Sequence, residues 1–210
     1  SFNNFSLRNV FKKDAWRPIP SGDGQKLSIR LQTYGKGYLS YSLSFTEPWL
    51  GGRKPTSLTV SYYHSLYSNG LPKSDTNRAT FKIDGFTLGI GKRLRWPDDF
   101  FTLYQAANLM RYDLKNYSQI FSVGTGTGFF NVFSYNVVFG RNSISQPIFP
   151  RSGSDVSLSL ELTPPYSAFS GKDYSSLDEN EKFKWVEYHK WKLNSSLYVE
   201  TLPKLVLATR

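Results

Sequence analysis

"YLSYSLSFTEPWLGG", residues 38 to 52, carries the pattern that the rest of the chain repeats. After Tyr38, the side chains of Leu39, Tyr41, Leu43 and Phe45 alternate with Ser40, Ser42, Ser44 and Thr46. Period-two alternation sends successive side chains to opposite faces of a β-strand. One face is therefore apolar and the other is almost entirely hydroxyl. The strand then enters a turn with Pro48-Trp49 and two glycines, Gly51 and Gly52. A soluble sheet usually carries Lys and Glu on its wet side, so a serine face that ends in a tryptophan needs another explanation. Alternation alone does not say which face is wet.

The same alternation recurs along the chain. Leu27, Ile29 and Leu31 oppose Ser28, Arg30 and Gln32, while Leu58, Val60 and Tyr62 oppose Ser57, Thr59 and Ser61. Phe86, Leu88 and Ile90 face away from Gly85, Gly89 and Gly91. Phe133, Tyr135, Val137 and Phe139 stand against Ser134 and Asn136. In "DVSLSLELT" the sets are Val156, Leu158, Leu160 and Leu162 against Ser157, Ser159, Glu161 and Thr163. Trp191, Leu193, Leu197 and Val199 oppose Lys190, Lys192, Asn194, Ser196 and Glu200. Residues 100 to 114 are strand-like in content, but their faces cannot be assigned. The expectation is an all-β chain of about eight complete strands with pieces of strand at each end, and almost no helix.

Composition narrows the class. Of 210 residues, 39% are apolar and 17% aromatic, which suits β-structure and excludes a disordered chain. No run approaches the roughly 18 apolar residues of a membrane-spanning helix, a test that β-barrels do not have to pass. Cysteine is absent, which rules out a disulfide scaffold and disfavours a structural zinc site. The net charge of +10 is scattered, with no dense basic run beyond Lys12-Lys13, so no nucleic-acid partner is expected. His64 and His189 lie far apart, Asp98-Asp99 sits in a turn as a solvated pair, and no Gly-x-Ser-x-Gly elbow occurs. "GTGTG" at 124 to 128 lacks the Lys-Ser/Thr of a phosphate loop, and Asp178, Glu179 and Glu181 belong to a solvated loop. No catalytic, cofactor or metal site is expected, and the chain is not expected to be an enzyme.

Connector lengths separate the two ends of the strands. At one end, A, lie "TEPWLGGRKPT", "RLRWPDDF", "RNSISQPIFPRSGS" and "TLPK", together with a longer first connector at residues 10 to 25. At the other, B, the tight "YGKG" is followed by three long polar loops. Short turns at one end and long loops at the other are the habit of outer-membrane barrels. On that reading Leu39, Tyr41, Leu43, Phe45, Val156, Leu158, Leu160 and Leu162 meet lipid. Ser40, Ser42, Ser44, Ser157, Ser159 and Glu161 then line a wet lumen. Trp49 and Trp96, each beside a proline, fall at headgroup level, where amphipathic rings are favoured.

Two longer stretches carry a resemblance. "GDGQKLSIRLQTYGKGYLSYSLSFTEPWLGG" has a Gly-containing turn, a strand, a tight hairpin and a strand ending in Glu-Pro-Trp. "YNVVFGRNSISQPIFPRSGSDVSLSLELTPP" has a strand, a Phe-Pro turn with a following Gly, and a strand ending near prolines. In order and spacing this resembles the BamA-like family of outer-membrane assembly factors, although Arg151-Ser152 departs mildly from the family's turn. The resemblance implies one partial antiparallel transmembrane β-barrel domain over residues 1–210, reaching from the second to the eleventh strand of about sixteen. It implies a place in the outer membrane of a Gram-negative bacterium, end A periplasmic and end B extracellular. The implied partners are outer-membrane lipid, nascent outer-membrane proteins and accessory assembly lipoproteins, and the implied activity is folding and insertion of other barrels.

A passive porin-like channel is the alternative, and a soluble β-sandwich binding module a further one. A porin would carry denser charge in its lumen than Arg30, Lys92 and Glu161 provide. Both chain ends look cut, so a segment of a longer protein is expected. Facing gives a direct test. Leu43→Arg or Leu158→Arg should destabilise the folded state by about 2–4 kcal/mol in lipid, and Ser42→Arg or Ser159→Arg far less, by equilibrium unfolding in vesicles.

Overall fold

The computed structural model describes residues 1–16, 18–52, 56–117, 126–171, 173–177, 179–203 and 205–210. Ten strands form one antiparallel sheet in chain order: β1 (Phe2–Phe5), β2 (Gln25–Tyr34), β3 (Tyr38–Glu47), β4 (Thr56–Ser68), β5 (Thr80–Arg93), β6 (Phe101–Lys115), β7 (Gly128–Asn142), β8 (Gly153–Leu162), β9 (His189–Leu202) and β10 (Leu205–Thr209). Each strand pairs with its sequence neighbour, so the sheet is an up-and-down meander, the topology of a β-barrel wall. The eight strands β2–β9 carry 10 to 15 residues each, while β1 and β10 are short. Among the described residues, helix is limited to α1 (Tyr166–Ser170), α2 (Glu179–Lys182) and two single 3₁₀ turns.

Register keeps the alternating sets together. Leu43 pairs with Tyr62, Tyr62 with Phe86, Phe86 with Leu109, and Leu109 with Phe133, one outward row across five strands. Ser42 pairs with Tyr63 on the opposite face. The pairing also settles the faces of residues 100 to 114. Leu103, Ala107 and Leu109 share the apolar face, and Tyr104, Ala106, Asn108 and Tyr112 share the other. Lys92 is a correction: it pairs with Leu103 and therefore stands on the apolar face, not in the lumen set.

Among the described residues, no second layer covers the apolar face. A compact soluble chain of this mass exposes roughly 10,000 Å², and this one exposes 14742 Å². Only Phe5, Ala106, Leu114 and Val132 are buried apolar residues among the described ones. A sandwich of this length would bury its leucines between sheets. Here Leu43, Phe86, Leu158 and Leu193 stay exposed.

The opposite face is close-packed against its own backbone. A Cβ at Gly85 would lie 2.1 Å from Cε1 of Tyr63, and one at Gly89 would lie 2.3 Å from the Tyr104 hydroxyl oxygen. Tyrosines from β4 and β6 thus lie flat over β5, which glycine alone permits.

Turns at end A are held by side chains. Glu47 accepts the Trp49 N–H at 3.1 Å through one carboxylate oxygen and the Gln25 amide at 2.7 Å through the other. That fastens the Glu-Pro-Trp turn to β2. Gly51 and Gly52 both have positive φ, 66° and 71°, and let the chain reverse there. Arg141 on β7 ties two further turns together. Its Nε and Nη2 donate to Asp98 at 3.0 and 2.9 Å, and its Nη1 donates to Ser143 and Ser154, each at 3.0 Å. Asp98 is therefore an ion-pair partner rather than a solvated turn residue. At end B, β8 stops at Leu162, opposite Tyr135, and β7 runs on toward Gly128. The connection after β8 fills part of this step. The Asn131 N–H donates to the Lys184 carbonyl at 2.8 Å, and the Val186 N–H donates to the Asn131 carbonyl at 3.1 Å, a short parallel bridge.

Two outcomes follow from the turns. Gly153 has φ of 106°, and a Cβ there would sit 2.2 Å from the Ser143 carbonyl oxygen. Gly153→Ala should therefore cost about 1–3 kcal/mol from backbone strain with the carbonyl clash in addition, more than Gly24→Ala, which shares a positive φ of 68° but whose Cβ would meet open space. Urea unfolding in detergent, followed by tryptophan fluorescence, ranks the two. For Asp98, desolvation opposes the charge, but the Phe100 N–H and the Arg141 guanidinium outweigh it and hold the carboxyl below its ordinary range. A depressed folded value stabilises fully above the unfolded value of about 3.9 and is lost as pH falls through the folded one. The stability difference between wild type and Asp98→Asn should hence be present at neutral pH and shrink below about pH 4; a difference that ignores pH would remove the ion pair from the account.

Candidate functional site

The chain offers two working surfaces, the two faces of its sheet. On the outward face Leu39, Tyr41, Leu43, Val156, Leu158 and Leu162 are exposed, while Phe45 and Leu160 share that face partly covered. They join the exposed Ile29, Leu31, Phe139, Trp191 and Leu193 in a continuous apolar wall. Trp49 and Trp96 both lie in end-A turns, 51% and 84% exposed. Phe149 was not foreseen; it belongs to the same end, 86% exposed and with a positive φ of 54°. It sits in the Phe-Pro turn, where its exposure depends on a backbone conformation that alternation does not report.

On the inward face Ser40, Ser42, Ser44, Ser157, Ser159 and Glu161 are all partly covered and joined by pairing to their neighbours. Ser40 and Ser65 hydroxyls meet at 3.0 Å, and the Asn194 amide donates to Ser157 at 3.3 Å. A ribbon of hydrogen bonds crosses β5 to β8. The Thr87 hydroxyl donates to Asn108 at 2.9 Å, the Asn108 amide to Ser134 at 3.5 Å, and the Ser134 hydroxyl to Glu161 at 2.9 Å. The Tyr188 hydroxyl closes it on the same Glu161 oxygen at 2.7 Å. Ser134 is fully buried by this ribbon.

Toward end B the inward face turns aromatic. Rings of Tyr34, Tyr38, Tyr67, Phe81, Tyr112 and Phe130 follow one another across six strands, with centroid separations between 4.5 and 6.1 Å. Each neighbouring pair contributes about 0.5–1.5 kcal/mol beyond area burial. The apolar alternation does not report this arc, because its rings fall on the opposite parity. Its trace is nonetheless there, one ring on the opposite parity at the end-B limit of each strand.

Nothing in the described residues gathers catalytic groups. His64 pairs with Asp84 at 2.7 Å, and His189 lies on β9 opposite Leu162, so the two histidines remain apart. No cluster of three or more potential metal ligands occurs among the described residues. Part of "GTGTG" and Asp178 of the acidic run lie outside the described residues.

The architecture has known relatives. The crystal structure of BamA from Haemophilus ducreyi lacking POTRA domains 1-3 matches with a TM-score of 0.59 at 18% identity, covering 90% of this chain and 34% of that one. This chain therefore spans about a third of that structure's length, as the 34% coverage states. At such identity the likeness concerns the fold, a partial antiparallel transmembrane β-barrel. No curated protein matches the chain. The Omp85 superfamily domain model matches residues 21–210, nearly the whole sequence, and the chain belongs to the Omp85 superfamily.

Proposed function

We propose that this chain is part of the barrel wall of an outer-membrane insertase, which folds and inserts other β-barrel proteins without covalent chemistry. The observation that carries the reading is a single uncovered sheet, apolar outward and hydroxyl-lined inward, in a chain of this superfamily. Apolar side chains that no protein layer covers are stable against hydrocarbon, and serine, threonine and asparagine are stable against a wet lumen. Trp49 and Trp96 then anchor the periplasmic interface, and the long end-B loops face the outside of a Gram-negative outer membrane.

An insertase needs a stiff wall as well as a seam that opens. Strand edges elsewhere in the barrel would template incoming strands by main-chain hydrogen bonding. This segment would supply the stiffness. The ribbon from Thr87 to Glu161, the tyrosines laid over β5 and the aromatic arc each tie neighbouring strands side by side. Nascent outer-membrane proteins are the clients on this reading, lipid is the outer partner, and accessory lipoproteins meet the periplasmic end.

The test uses the whole protein reconstituted in vesicles. Addition of a urea-unfolded client barrel should give folded client, read by heat-modifiable gel migration, faster than in empty vesicles. An unchanged client rate together with steady ion conductance across a planar bilayer would replace this reading by a passive channel.

A further inference from the structure

Above the last apolar row, the outward face of β5 to β7 changes chemistry within one register step. Phe86, Leu109 and Phe133 give way to Asp84, Arg111 and Asn131, and the next row holds Lys82, Asp113 and Phe129. Arg111 is exposed, with its guanidinium carbon 4.6 Å from the centre of the Phe129 ring. Lys184, from the connection after β8, brings its ammonium to 6.0 Å from the same ring. Its backbone carbonyl is held by the Asn131 N–H at 2.8 Å, so this cation is tied to the wall.

The nearby acids form no ion pair with Arg111 or Lys184, although Lys82 acts on the charge of Asp84 and stands across from Asp113. Asp84, the cross-strand neighbour of Arg111, turns its carboxylate to His64 at 2.7 Å and to the Tyr62 hydroxyl at 2.9 Å. The ion pairs among the described residues are His64–Asp84 and Arg141–Asp98, so Arg111, Lys184 and Lys82 take part in none. Asp113 remains on the row above without an ion pair. Two cations thus converge on one exposed ring at the rim of an apolar wall. An amphiphile fits such a place: acyl chains against Leu109 and Phe133, an anionic headgroup against the cations. A guanidinium matches a phosphate with two parallel N–H donors.

We propose that Arg111 and Lys184, converging on the Phe129 ring, bind the phosphate of a lipid headgroup in the outer leaflet. The site rests on the membrane reading with end B outward, and it adds a specific lipid contact to that reading. It would hold one lipid in place at the head of β6 and β7, next to the step left by the short β8.

The experiment is lipid retention by the whole protein in detergent, read by native mass spectrometry. The probes are lipid A with both phosphates and its dephosphorylated form. Wild type should retain the phosphorylated lipid preferentially, and each of Arg111→Ser and Lys184→Ser should lower retention about fivefold, the equivalent of one interfacial cation. Raising salt should weaken retention further. Equal retention of both lipids by wild type, or an unchanged Lys184→Ser, overturns the site. So does displacement by millimolar inorganic phosphate, which would mean that the acyl body contributes nothing. Heat-modifiable migration reports insertion separately. A folded, inserted variant with unaltered lipid selectivity removes the headgroup site and leaves the membrane reading standing, whereas a wild type that fails to insert removes both.

Discussion

In hydrocarbon, every backbone N–H and C=O must find a partner within the protein, because no water is there to take its place. A meander meets that demand in the simplest way, each strand pairing with the ones just before and after it in the chain. Register then becomes the controlling variable. One residue of slip would move an entire apolar set from one face to the other. From β2 through β7 the pairing is unbroken over the full outward rows, and Leu43, Tyr62, Phe86, Leu109 and Phe133 meet because of it.

The two faces use this fixed register differently. Outward, bulk is enough: leucine, phenylalanine and tyrosine stay exposed there and make few specific contacts with one another. Inward, the residues are specific to each other. Tyr63 depends on the absence of a side chain at Gly85, and Ser134 depends on both Asn108 and Glu161. A buried polar group without such partners costs about 1–3 kcal/mol, so the inner ribbon gives the wall a directional preference that hydrophobicity does not. The specific strand-to-strand contacts of the wall thus belong to the polar face.

Much of this architecture was legible in the residues. Period-two alternation located the strands and separated Leu158 from Ser159 correctly, because one face of each strand is chemically uniform. The faces of residues 100 to 114 were not legible. Both parities of β6 carry mixed chemistry, Gln105 and Arg111 outward, Tyr104 and Tyr112 inward, so only cross-strand pairing decides. Lys92 was misplaced for a related reason: it sits next to the last residue of its strand, where a charged residue can occupy the apolar parity. Asp98 looked like a solvated turn residue because its partner, Arg141, lies more than forty positions away and is brought near by the sheet. The candidate surfaces were half visible in the same sense. Trp49 and Trp96 follow from their place after strands, whereas the aromatic arc and the Arg111–Phe129–Lys184 group require neighbours that sequence order keeps distant.

The shortness of β8 has a mechanical meaning. Elsewhere two strands are joined by a ladder of bonds that must open in concert. Beside Asn131, among the described residues, the rim is closed by a clasp of two main-chain hydrogen bonds from the connection after β8. A seam fastened at one point parts at far smaller load than a ladder does. Strain reaching the rim from the rest of the barrel would be relieved there first, by unclasping a loop while every strand keeps its place.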